Sequence, residues 1–136
     1  MLIARSTRRT FLVGAVAMGA AGALGAQTPP EGARGGLAHH VLVWLKNPES
    51  DTDRERVIEG MRTLAAIPSV RGLHIGVPAA VAQRSVVDGS FSVSLIVHFD
   101  DLAGHDAYQQ HPVHLQLLDD QRELWAKVVI YDAMAV

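Results

Sequence analysis

The chain has 136 residues, no cysteine and a formal net charge of −2 from 12 basic and 14 acidic side chains. That excludes a disulfide-stapled fold and a thiolate nucleophile, and the absence of a basic stripe beyond the first residues argues against nucleic acid as a partner. Some 110 residues follow position 26, enough for one domain that buries about two thirds of its unfolded surface and gains from pairing with a copy of itself.

The first segment reads as an address rather than a fold. Ser6-Thr7-Arg8-Arg9-Thr10-Phe11-Leu12 is a paired-arginine start, followed by a Gly/Ala-rich apolar stretch from Val13 to Leu24 and small residues at Gly25-Ala26. This is the layout of a twin-arginine signal peptide over residues 1–26, with export to the periplasm or beyond as its destination. A cut after Ala23 also fits the small-x-small rule. The apolar stretch is shorter than the ~20 residues of a spanning helix and is diluted by glycine, so no stable membrane span is expected. Residues 27–37, rich in Pro, Gly and Ala, read as a flexible linker, and 38–136 as the single domain.

His39 to Lys46 is β-branched and aromatic and stops at Asn47-Pro48, which predicts a first strand. From Ser50 to Ala66 the period changes: Val57, Ile58, Met61, Leu64 and Ala65 share a helical face, Ser50 with Asp53 starts it, and Pro68 ends it. Val70 to Val77 is a second strand, closed by Pro78 and followed by a polar loop to Ser90. Phe91 to Phe99 alternates cleanly and is the third, and Asp100-Asp101 caps a helix over 102–110. Pro112 fits the first position of a new helix capped by His111, with Leu115, Leu117, Leu118 and Leu124 toward the core. Lys127 to Tyr131 is the last strand.

The order β-α-β-β-α-β is the ferredoxin-like pattern, an α+β fold with one antiparallel sheet and helices on one face. The apolar side of the third strand should lie under the helices. Ser92, Ser94, Ile96 and His98 then face away, joined by Val41, Val43, Val129 and Tyr131. A half-apolar second face predicts a homodimer closed sheet to sheet.

The chemistry-bearing stretch is Tyr108-Gln109-Gln110-His111-Pro112-Val113-His114, a phenol and two imidazoles around a helix break. Imidazole exchanges protons near neutral pH and a phenol can hydrogen-bond an oxyanion. His111, just before the proline, reads as a structural cap. Alternation puts His40, Leu42 and Trp44 on one side of the first strand, facing a pocket, with His39 toward the dimer face and His105 exposed on its helix. Seven histidines raise the question of metal, but His111 and His114 straddle a proline and no His-Glu-x-x-His helix is present, so no metal site and no cofactor are expected.

The opening His39-His40-Val41-Leu42-Val43, the run Val97-His98-Phe99-Asp100 into a helix, the Tyr108 to His114 element and the closing Val129-Ile130-Tyr131-Asp132 together resemble the stress-responsive α/β-barrel (Dabb) family over 39–133. The resemblance implies a dimeric α+β barrel with a small-molecule pocket between each sheet and its helices. Some relatives, the plant olivetolic acid cyclase among them, are cofactor-independent cyclases with a histidine and tyrosine acid/base pair. By motif position His114 matches that catalytic histidine, Tyr108 its partner and His40 a pocket histidine; the wall would be Leu42, Trp44, Leu73, Ile75, Leu95, Val97, Trp125, Val128 and Ile130. Gly60 stands where the cyclase has an aromatic hydroxyl, a departure that bears on substrate. The expectation is an exported homodimer that binds a small apolar or aromatic oxygenated molecule, with metal-free lyase, cyclase or isomerase chemistry. Its alternatives are a non-catalytic stress-related binding module and, by fold analogy, a cofactor-free monooxygenase or haem-handling barrel.

Overall fold

The computed structural model describes residues 36–136; the expected export signal and the linker up to residue 35 lie outside the described residues. Four strands form one antiparallel sheet in the order β2-β3-β1-β4. They are β1 (Leu37–Leu45), β2 (Gly72–Gly76), β3 (Val93–Phe99) and β4 (Trp125–Met134). Helix α1 (Asp51–Thr63) joins β1 to β2, and α2 (Leu102–Gln110) with α3 (Pro112–Gln121) joins β3 to β4. This is the expected ferredoxin-like α+β fold. Among the described residues no helix is long and apolar enough to cross a membrane.

Local chemistry sets the element ends. The Ser50 hydroxyl accepts from the Asp53 amide at the start of α1, and the Asp101 carboxylate accepts from the Gly104 amide at the start of α2. Each satisfies a backbone donor that has no partner within its helix. Leu37, the last residue assigned to the linker, instead opens β1 and is buried. The last strand is also longer than expected, ten residues from Trp125 to Met134, because it pairs with β1 along nearly its whole length.

The register decides which face each side chain takes. Val41 lies opposite Leu95 and Val43 opposite Val93, so both sit on the helix-covered side with the apolar face of β3. They are core residues, buried with Val57, Met61 and Leu64, and not members of the outer face as expected. Leu42 opposite Ser94 and His40 opposite Ile96 place the alternate set outward, beside Val129 and Tyr131. There Trp44 Nε1 donates to Ser90 Oγ, and Lys127 Nζ lies 4.5 Å from the Trp44 ring centre.

Helix α3 buries His114, Leu117 and Gln121, whereas Leu115, expected on the core side, is 49% exposed. Gln121 lies across α1 at Gly60 and donates from Nε2 to the carbonyls of Arg56 and Val57. A Cβ at position 60 would overlap the Gln121 carboxamide, so Gly60→Ala must expel it and break both bonds. Alanine gains about 1 kcal/mol of helix propensity, but the two lost bonds cost about 1 kcal/mol each. Gly60→Ala is therefore expected to destabilise by about 1 kcal/mol in urea unfolding, and to stabilise by about as much when Gln121 is already alanine. The same sign in both backgrounds would disprove the contact.

Candidate active site

Residues from four elements, β1, α2, α3 and β4, converge at one end of the helix-covered side. Pro112 at the first position of α3 lacks the amide that a helix interior needs, so the chain breaks at His111, whose Nδ1 accepts from the Val113 amide. His111 is thus the cap between two helices, and the bend folds His114 back on Tyr108. Their ring centres lie 4.5 Å apart.

The imidazole that joins them from β1 is His39, not His40. His39 is 3% exposed, and its ring centre lies 5.8 Å from that of Tyr108 and 5.0 Å from that of His105. Its Nδ1 is 2.6 Å from Asp132 Oδ1, a ring N–H donating to a carboxylate on the paired strand. His40 points the other way, with Nε2 2.9 Å from Ser94 Oγ. His40, Leu42 and Trp44 are therefore removed from the pocket wall. The physical reason is the strand period of two: shifting the face assignment of β1 by one residue exchanges every side chain between the sides.

The remaining wall positions divide. Leu73, Ile75, Leu95 and Val97 lie on the helix-covered side, where Leu95 and Val97 are core and the other two pack against it; Trp125 is half-buried beside them. Val128 and Ile130 share that side of β4 with Asp132 but are 37% and 48% exposed, so the helix layer leaves this margin open. The apolar margin adjoins the His39–Asp132 pair.

Burial biases His39, His114 and Tyr108 toward definite states. Burial lowers the pKa of His39, partly countered by the hydrogen bond from its ring to Asp132. Burial also lowers that of His114, whose Nδ1 lies 3.1 Å from the Gln109 carbonyl that can only accept. Both rings are therefore neutral near pH 7 with Nδ1 as donor, which leaves each Nε2 with a free lone pair. Burial raises the Tyr108 pKa well above its ordinary value, so the phenol stays protonated and keeps an O–H to offer. Two bases and one fixed donor can take a proton from carbon or oxygen and hold the resulting oxyanion.

Two members of this constellation escaped the sequence. His105, expected in solvent, is partly buried and packs against His39 and Phe99. Its signal was the spacing of three from Tyr108, which places both on one helical face. Asp132 meets His39 only through strand pairing, a relation that 93 positions of sequence separation conceal.

A family model described as the stress responsive A/B barrel domain matches residues 37–135. Among solved structures, a dabb family protein with a ferredoxin-like fold from Mesorhizobium loti superposes with a TM-score of 0.61 at 19% identity, over 76% of this chain and 99% of that one. A dimeric ferredoxin-like protein of unknown function from Thermobifida fusca gives 0.60 at 24%, over 74% and 92%. The hydroxynitrile lyase from Passiflora edulis gives 0.64 at 20%, over 79% and 96%. At these identities the likeness shows the fold. No curated protein matches the chain.

Proposed function

Since the chain belongs to the stress-responsive A/B barrel family, we propose that it is an exported homodimer that binds a small apolar or aromatic oxygenated molecule and performs metal-free proton transfer on it. The observation that carries this reading is the packing of Tyr108 against both His39 and His114, with Asp132 2.6 Å from the first ring. Asp132 holds His39 in the tautomer whose Nε2 is basic; a neutral imidazole then removes the proton and the Tyr108 hydroxyl donates to the oxygen that becomes negative. His114 serves as the second base. The lyase among the structural neighbours supports chemistry of this kind on such a scaffold.

The dimer rests on β4, a ten-residue edge strand, and on an outer sheet face with Tyr131 61% exposed. An edge of that length with unpaired backbone groups is a template for association. Three of the structural neighbours are described as dimeric. Export rests on the paired Arg8-Arg9 and the short apolar stretch after them.

The test is deuterium exchange in D2O at the acidic carbon of small aromatic ketones and β-diketones, followed by NMR, with hydroxynitrile cleavage assayed alongside. Because both histidine pKa values are lowered, the neutral base persists as pH falls through about 6.5, the ordinary imidazole value. Exchange is expected to stay flat from about pH 8 to below that point and to fall only in more acidic buffer. A midpoint above it would contradict the assignment. One observation favours the binding module instead: Tyr108 is 1% and His114 7% exposed, a close ring packing suited to a floor beneath a ligand. Binding of the same compounds without exchange would establish that reading.

A further inference from the structure

The acid–base reading leaves His105 without a role, yet it completes a second arrangement. One donor atom each from His39, His105 and Asp132 lies within 4.8 Å of the others. We propose that these three residues form a binding site for a divalent first-row transition metal, with two imidazoles and one carboxylate as ligands and coordination positions left open toward Tyr108.

The donor set selects this class of ion. Imidazole suits zinc, cobalt, nickel and iron, while calcium and magnesium prefer oxygen ligands, and two histidines with one carboxylate on one side of a metal leave room for a bound molecule. The distances are within reach of coordination. At metal–nitrogen bonds near 2.0–2.1 Å, tetrahedral donors stand roughly 3–3.5 Å apart. The His39–Asp132 pair, now 2.6 Å apart, opens to that and the wider separations close to it by side-chain movements of about 1 Å, and the Asp132 side chain, 46% exposed, has room to move. A neighbouring carboxamide supports the second imidazole. Gln109 Nε2 lies 3.1 Å from His105 Nε2, and a carboxamide can turn to donate or accept, so it orients the ring with Nδ1 left as the nitrogen that binds metal. An ion can also enter, since the His105 and Asp132 side chains are both reachable from solvent.

The metal would replace the proton shared by His39 and Asp132. Metal binding and proton transfer then compete for the same ring, so the site is distinct in chemistry from the acid–base use of His39 and does not depend on it.

Cobalt(II) is the probe, added to tag-free protein freed of metal by chelator and watched by its visible d–d absorption and by calorimetry. One equivalent per chain is expected to bind, with bands whose intensity marks fewer than six ligands. His105→Ala is expected to weaken binding by more than about tenfold, and Asp132→Asn likewise, while His98→Ala on the outer face leaves it intact. Circular dichroism establishes that each variant is folded; should His105→Ala unfold, the exposed Asp132 decides the matter. Absence of the bands at millimolar cobalt would overturn the proposal. So would bands that survive both His105→Ala and Asp132→Asn.

Discussion

Replacing Tyr108 with phenylalanine is expected to lower proton exchange by about 10²–10³-fold, the scale for loss of one preorganised donor to an oxyanion, while leaving stability within about 1 kcal/mol of the parent. The two effects separate for a structural reason. The ring is almost wholly buried among Phe99, His39 and His114 and phenylalanine retains its packing. Burial raises the pKa of the hydroxyl, and among the described residues no hydrogen bond contributes. Its removal thus strands no partner in the fold. Tyr108→Ala is the contrasting case: deleting a buried aromatic costs about 3–5 kcal/mol, enough to threaten a domain of this size. Urea unfolding measures the second quantity and NMR exchange the first. An unchanged rate in the phenylalanine variant would remove Tyr108 from the chemistry.

The second large effect sets two adjacent histidines against each other. His39→Gln is expected to reduce exchange by about 10²–10⁴-fold, the range for a general base, and His40→Gln to leave it unchanged. His39 lies in the ring cluster with Asp132 as its partner, whereas His40 bonds Ser94 across the sheet on the other face. The glutamine keeps polar contact in both places, so packing loss is small. Equal loss in the two variants, measured at one pH with dimer content checked by size-exclusion chromatography, would mean that the ligand meets the outer face instead.

That contrast marks where the sequence stops being legible. The elements and their order follow from caps, prolines and periods, and β3 declares its faces because one side is wholly apolar. β1 does not: Leu37, Val41, Val43 and Leu45 alternate with Ala38, Leu42 and Trp44, so both sides satisfy the same pattern. Only its pairing with β3 breaks the tie. Helix α3 misleads in a related way. Its leucines advertise a buried stripe, but the bend at Pro112 rotates the helix so that His114, Leu117 and Gln121 point inward and Leu115 does not. Tyr108 and His114 were visible because a helix break between them forces proximity. Asp132 was hidden because its partner is fixed by strand register, which no local pattern encodes.

His111 closes α2 and opens α3 with no residue between them that belongs to neither. Each residue added to a helix turns the rest of it by about 100°, so one insertion or deletion at this junction would swing His114 roughly a quarter turn away from Tyr108. The stretch between β2 and β3, sixteen residues without regular structure, can lengthen or shorten without such a consequence. Chain length is thus free to drift at one end of the molecule and locked at the other. The junction acts as a gear tooth, tolerant of changed side chains but not of a changed count.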